Sequence, residues 1–347
     1  MKSGSSILPD HEKLRNVIAS GKRLVIFLHD NPDPDALAAG WILQHIGQHL
    51  GIRSQIVYSG RLGRAENRTM VKLLKIPVRC LHEKHIRYLK NDRYALVDTQ
   101  PGTGNNIFPH RDLNCHIVID HHPRQPALKA NYCDIRPDVG SCTTMLLDYQ
   151  QHFGIPMNSN LATAAAYAIV SETQDLDREN TKADRKAYVR LFPHVHLRAL
   201  GRIRHPVHER DYYRTIARAM RHVMVSKNTC VCHVGQVHTP EVVAEFADFL
   251  VAMERINWCL VSGFHQGNMV ISIRTTNARA DAERVMKRIL LKLGQGGGHG
   301  MIGGGAILCK DLNRYDLLAE QITKRFLKHL SRSQTTHLRP LIENDRN

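Results

Sequence analysis

The chain has 347 residues, of which 42% are hydrophobic and 23% charged, a globular composition whose length favours two domains and excludes wholesale disorder. Forty-eight Lys and Arg against 32 Asp and Glu give a net charge of +16, which favours a polyanionic partner (nucleic acid, a nucleotide or polyphosphate), simple solubility being the plainer account. No apolar run reaches the roughly 18–20 residues that span a bilayer, the N-terminus has no apolar signal core, and the eight cysteines include no Cys-x-x-Cys pair, so a reduced, cytoplasmic protein without a zinc ribbon is expected.

In chain order, residues 23–29 (RLVIFLH) read as a buried strand and residues 36–50 as a helix stopped by Gly51. Further strands are expected at SQIVYSG, RYALVDTQ and CHIVIDHH, and helices at SCTTMLLDYQQHFG and NLATAAAYAIVSE. Strands alternating with helices predict an α/β fold with a doubly wound, mainly parallel sheet and helices on both faces. Residues 178–227 then carry 13 basic and 4 acidic side chains. Within them Arg210, Arg214, Arg218 and Arg221 share one helical face, while Tyr213, Ile216, Met220 and Val223 form an apolar stripe. This stretch reads equally as a solvated connector or as a polyanion contact.

From Thr229 the pattern changes to a strand (TCVCHVGQV), an amphipathic helix at 241–254 and two strands around HQGN. A helix from about 278 to 293 and the run GQGGGHGMIGGG at 294–305 follow. The expected organisation is a first domain at 1–195, a basic helical linker at 196–226, a smaller α/β domain at 227–330 and a polar tail at 331–347.

Three predicted strands end in acids or histidines. His29, Asp33 and Asp35 follow the first, Asp98 ends another, and Asp120, His121 and His122 end a third. Functional crevices of open parallel sheets lie outside the carboxyl ends of the strands, so the three clusters converge on one edge. Taken singly, each has a plainer account: Asp35 reads equally as a helix N-cap, and Asp98 as a turn residue. Their mixed oxygen and nitrogen donors suit Mn²⁺, with Mg²⁺, Co²⁺ or Zn²⁺ as competitors. The carboxylates are too many for one ion; two cations about 3.5–4 Å apart, sharing one carboxylate, would use them all and clamp a phosphoryl group.

These motifs resemble those of the DHH-family phosphoesterases, with DHH itself at 120–122. HDNPDPDA resembles the first motif, Asp98 the second and VSETQD the fourth; SIRTTNARAD and GGGHGMIGGG resemble the DHH-associated C-terminal domain. The compact two-domain layout is similar to the NrnA-type nanoRNases and pAp phosphatases. The resemblance implies that His29 and Asp33 bind one metal, that Asp35, His121 and Glu172 bind the other, and that Asp98 bridges. It further implies a metal-bridging hydroxide as nucleophile, Asp120 orienting a histidine, and His122 touching the scissile phosphate. The sequence departs from the family pattern in three places. Glu172 stands where Asp is usual, with Asp175 as a second candidate; Ala38 and Ala39 replace a Gly-Ser pair; Leu176 replaces an aromatic.

The glycine run is too glycine-rich for a helix or an ordinary strand interior, and it lacks the Gly-Lys-Ser/Thr of a P-loop. It suits a backbone cradle for phosphate, a flexible loop being the plainer account. With the resemblance it assigns Gly297, Gly298 and His299 to the far end of the substrate. Arg274 is expected either to bind phosphate bidentately or to form a surface ion pair. The leading expectation is a two-metal phosphoesterase acting on short single-stranded nucleic acid or 3′-phosphoadenosine 5′-phosphate, with homodimerisation open. Alternatives are a RecJ-like exonuclease, a cyclic-dinucleotide phosphodiesterase, a pyrophosphate or polyphosphate hydrolase, and a non-enzymatic nucleic-acid binder.

Overall fold

The apolar runs of the first half lie side by side in one parallel sheet. In the computed structural model, which describes residues 9–82, 91–109, 111, 113–177, 180–330 and 337–342 (the His299 side chain excepted), the chain divides into units Met1–Pro206 and Val207–Asn347. The first unit runs α1 (His11–Ala19), β1 (Arg23–Phe27), α2 (Pro34–His49), β2 (Arg53–Tyr58), α3 (Ala65–Leu74), β3 (Val78–Cys80), β4 (Asp92–Val97), β5 (Ile117–Asp120) and β6 (Tyr132–Ile135). Four helices follow: α4 (Cys142–His152), α5 (Ser159–Glu172), α6 (Lys182–Leu191) and α7 (Leu197–Arg204).

The strand order is β3-β2-β1-β4-β5-β6, and every pair is parallel. Alternate strand residues serve two cores. Leu24, Ile26, Ala95, Val97, Ile117 and Ile119 pack with α2, α4 and α5, while Val25, Phe27, Tyr94, Leu96 and Val118 pack with Phe108, Cys115 and Leu128. Such two-sided burial explains the continuous apolar runs. The order reverses between β1 and β4, which makes their carboxyl ends the switch point where ligands bind in open sheets.

The second unit contains α8 (Arg210–Met220), β7 (Val223–Ser226), β8 (Thr229–Gln236), α9 (Glu241–Val251), β9 (Trp258–His265) and β10 (Asn268–Thr275). It continues with α10 (Ala282–Ile289), β11 (Gln295–His299), β12 (Ile302–Leu308), α11 (Leu312–Leu330) and β13 (Arg339–Pro340). The sheet order is β11-β12-β10-β9-β8-β7-β13, parallel at β8–β9 and antiparallel elsewhere. Period-two alternation sends Leu260, Ile271 and Ile273 to α10 and α11, against Met286, Ile289 and Phe326. Cys259 and Val261 face α9 instead, against Val243, Phe246 and Leu250.

Residues 196–226 do not form one connector. Helix α7 buries Ala199, Leu200 and Ile203 in the first core. Helix α8 buries Ala219 in the second unit, with Ile216 and Met220 against the same cluster, while Tyr213 is 61% exposed. Val223 leaves the helical stripe and starts β7. The tail is partly ordered into the fold, because β13 pairs with β7; residues 331–336 and 343–347 lie outside the described ones.

The glycine run is a β-hairpin, β11–β12, and not a loop. Its glycines satisfy packing on one face. A Cβ on Gly296 or Gly305 would come within 2.5 Å of Leu290 Cδ1, and one on Gly303 within 2.9 Å of the Ala282 carbonyl. Helix α10 therefore lies directly on the hairpin. Gly297 and Gly304 pair across the strands with no heavy atom within 4 Å of a Cβ built on either, so the opposite face is open backbone. No helix among the described residues is long and apolar enough to cross a membrane.

Candidate metal centre

Each chemical group in the centre is delivered by the end of a regular element. His29 follows β1. Asp33 is the N-cap of α2, its Oδ1 accepting from the Ala36 amide at 2.9 Å, and Pro34 occupies the first helical position. The cap is thus Asp33, and Asp35 stands free of that task inside the first turn. Asp98 immediately follows β4 with φ of 59°, a left-handed conformation that costs about 1–2 kcal/mol for a non-glycine residue and clusters at functional positions. Asp120 ends β5, and Glu172 ends α5.

Asp98 is the hub. Its carboxylate lies 3.6 Å from His29 Nε2, 3.5 Å from His121 Nε2 and 3.7 Å from His122 Nδ1. His29 is also 3.8 Å from Asp33, and His121 is 3.8 Å from Glu172. Asp35 is fully buried and accepts from the Cys142 and Thr143 amides at 2.7 and 2.8 Å, at the N-terminus of α4, where backbone N–H groups favour an anion. All six residues expected as metal ligands converge here. Asp175 does not; it pairs with Arg204 at 2.8 Å on the surface.

The fit of this donor set to a divalent cation shows in the buried atoms that lack a partner. Asp98 Oδ1 and His121 Nε2 are both buried and unsatisfied, although such groups are normally paired. Each faces the other across the centre. Three sets of ligand atoms each fall within 4.8 Å of one another: His29, Asp33 and Asp98; Asp35, Asp98, His121 and Cys142; and Asp98, Asp120 and His122. Oxygen and imidazole donors around a shared carboxylate fit divalent metal ions. His29 Nδ1 bonds the Asp30 carbonyl at 2.8 Å, and His121 Nδ1 the Val139 carbonyl at 3.3 Å. These bonds leave both Nε2 atoms directed inward.

Electrostatics point the same way. Burial and the charges of Asp33, Asp35, Asp120 and Glu172 push the Asp98 carboxyl well above the usual carboxylate range. Burial alone would lower His29, but its bond to Asp33 and the charge of that carboxylate outweigh it and raise the imidazole to about 8. The sign follows: the metal-free protein keeps His29 protonated up to about pH 8, and a cation requires it neutral. Apparent Mn²⁺ affinity should therefore rise about tenfold per pH unit from roughly 6 to 8 through this proton alone, then level off. Calorimetric Mn²⁺ titrations at about pH 6, 7, 8 and 9 check this; a flat profile would refute it.

Asp120 holds His122, with Oδ1 2.9 Å from Nδ1. Burial would raise Asp120, but the bonds from His122 and from Gln100 prevail and hold it below its ordinary value. The Asp120 bond in turn raises His122, whose side chain is half exposed. Sequence reasoning missed Gln100, whose Nε2 donates to Asp120 at 2.7 Å and whose Oε1 receives the Gln125 amide. It also missed Cys142. The signal for Cys142 was its position as the first residue of a helix, on the same sheet edge as the acids.

In the second unit the expectation for Arg274 needs correcting. The residue is 6% exposed, and its guanidinium bonds Asp248 through Nε, Ser272 Oγ at 2.6 Å and the Ile273 carbonyl at 3.0 Å. The fork that would grip a phosphate is already occupied by α9 and its own strand. Gly298 also faces the hairpin rather than a ligand, since a Cβ there would meet the Ile302 carbonyl at 2.1 Å. Gly297 lies on the open face, and His299 pairs with Ile302 two residues along the strand.

Residues 23–169 match the DHH family, N-terminal domain. An uncharacterized protein of Methanocaldococcus jannaschii is 32% identical over 277 residues, which are 80% of this chain and 56% of that one. The chain spans about half the length of this curated relative. The crystal structure of an exopolyphosphatase-related protein from Bacteroides fragilis has a TM-score of 0.74 at 13% identity, covering 92% of this chain and 96% of that chain. RecJ from Thermus thermophilus in complex with Mn²⁺ gives 0.53 at 14% identity, covering 93% and 56%. At these identities the structural likenesses establish the fold.

Proposed function

Because residues 23–169 match the DHH family, N-terminal domain, we propose that the chain is a cytoplasmic, two-metal phosphoesterase of that family, hydrolysing short oligonucleotides or 3′-phosphoadenosine 5′-phosphate. The observation that carries this reading is the Asp98 carboxylate, buried, partly unsatisfied and within 4 Å of three histidines. His29, Asp33 and Asp98 would hold one ion; Asp35, Asp98, His121 and Glu172 would hold the other. Divalent cations supply Lewis acidity to a phosphoryl oxygen and lower the pKa of water, and Mn²⁺ suits the donors, with Mg²⁺ or Co²⁺ as substitutes.

The protein's own contributions are positional and electrostatic. Asp120 and Gln100 fix His122 at the exposed rim of the centre. Its raised pKa favours the imidazolium, a donor to charge developing on phosphate. The N-terminus of α4 holds Asp35 in place. In the second unit, the strip at Gly297 and Gly304 carries no side chains, which leaves room for an anionic ligand end to lie against the hairpin, and His299 stands beside it in register. The net charge of +16 favours such a polyanion.

A substrate panel tests the reading. Purified protein with Mn²⁺ is offered 3-mer and 30-mer RNA and single-stranded DNA, 3′-phosphoadenosine 5′-phosphate, pyrophosphate and polyphosphate, at two salt concentrations. The expected result is a higher kcat/KM for the 3-mer than for the 30-mer. A 30-mer preference lost at high salt would instead indicate a long polyanion track and a RecJ-like exonuclease. Turnover confined to pyrophosphate or polyphosphate would replace the nucleic-acid reading altogether.

A further inference from the structure

Cys142, the first residue of α4, is fully buried beside acids and a histidine. Its Sγ and one ligand atom from each of Asp35, Asp98 and His121 all lie within 4.8 Å of one another. Asp98 and His121 also carry the two unsatisfied atoms, Oδ1 and Nε2, which stand 3.5 Å apart. Two of the thiol's contacts are long, to the Ile119 carbonyl at 3.8 Å and to Asp120 Oδ1 at 4.0 Å. Donors on a tetrahedral ion with bonds of about 2.0–2.3 Å sit roughly 3.3–3.8 Å apart, so a modest contraction brings this quartet to coordinating distance.

The other half of the centre differs. His29, Asp33 and Asp98 offer nitrogen and oxygen only. We propose that the centre is chemically asymmetric: Cys142 is a sulfur donor at the position formed by Asp35, Asp98 and His121, and it makes that position prefer Zn²⁺ or Co²⁺ over Mn²⁺ and Mg²⁺. The reason is softness, since thiolate sulfur favours borderline cations whereas carboxylate suits hard ones. On coordination the sulfur binds the ion and its proton leaves to solvent. The inference rests on the two-metal reading and adds to it a different preference for each position.

The backbone of Cys142 has a separate task, because its amide donates to Asp35. A Cys142→Ser substitution keeps that bond and the helix start while removing the sulfur. Metal-free wild-type and Cys142→Ser proteins, both full chains, are titrated with Co²⁺, following near-ultraviolet absorption and measuring bound cobalt by mass spectrometry. The expected result is a thiolate-to-cobalt charge-transfer band in the wild type, absent from the variant, which still binds cobalt. The difference spectrum isolates Cys142 from the other seven cysteines. In competition titrations the variant should lose Zn²⁺ affinity at least about tenfold, with Mn²⁺ affinity changed less than about twofold.

Cobalt bound by the wild type without the band overturns the sulfur assignment and leaves the two-metal reading standing. Failure of the wild type to bind cobalt at all overturns both. A Cys142→Ser protein that does not fold, judged by circular dichroism, is replaced by Cys142→Ala; the wild-type band decides the assignment in either case.

Discussion

Replacing Asp98 by asparagine should abolish turnover and raise the melting temperature of the metal-free protein. Both effects come from one crowded carboxylate. In the metal-free state Asp98 is buried among Asp33, Asp35, Asp120 and Glu172, and its charged form is disfavoured first by burial and then by those charges. A group whose folded pKa is raised in this way costs stability at neutral pH, where it must ionise or take up a proton. Asparagine removes the charge, keeps the shape and tolerates the left-handed backbone at φ of 59°. The same change removes one oxygen and the charge of the carboxylate that faces His29 through Oδ2 and His121 through Oδ1, and so serves both candidate ion positions. Loss of one member of such a unit is expected to cost at least about 100-fold in kcat/KM, roughly 3 kcal/mol of barrier. Kinetics on bis-p-nitrophenyl phosphate with Mn²⁺, together with thermal melts in chelator, measure the two effects. A variant that keeps more than a few per cent of activity would remove Asp98 from the centre of the argument; one that melts lower without metal would show that the acid cluster is not strained.

What the sequence disclosed here divides along a physical line. Strand ends carrying His29, Asp98 and Asp120–His122 were legible because a parallel sheet delivers its carboxyl ends to one edge whatever the side-chain detail. Glu172 and Asp175 lie close together in the chain, and their separation depends on where α5 stops: the helix ends on Glu172, and the chain then takes three left-handed residues, Gln174 to Leu176. No periodicity encodes that. The glycine run was misjudged because strand rules assume side chains that fill a sheet; here their absence is what admits Met286 of α10 and Leu290, the residue that caps it. Arg274 was ambiguous because its partner Asp248 lies 26 residues away on α9, and only the fold brings the two together. Cys142 went unnoticed for a related reason: a buried cysteine in a helix is most often just a small apolar residue.

The second unit should lose stability in acid through one histidine remote from the proposed chemistry. His233 sits in β8 with Nδ1 2.6 Å from Ser262 Oγ and Nε2 2.8 Å from Thr323 Oγ1. Tyr315 completes the network through its hydroxyl, 2.9 Å from Ser262 Oγ. Both partners are hydroxyls, which accept as readily as they donate, so it is burial and not the network that disfavours the charged imidazole. Burial lowers the pKa of His233 from 6.5 to about 4, and no carboxylate in this network opposes the shift. Below pH 6.5 the unfolded chain takes up a proton that the folded unit refuses, so stability is complete above that pH, falls as pH drops towards 4, and is level below it. A shift of this size corresponds to about 3 kcal/mol. Amide exchange of β8 and β9 at about pH 7 and 4.5, corrected for intrinsic rates, reads the loss directly. His233→Gln keeps a donor and an acceptor without the titration, and its protection should differ much less between the two pH values. If wild type and variant lose protection equally, the acid sensitivity belongs to other groups and the His233 network is merely packing.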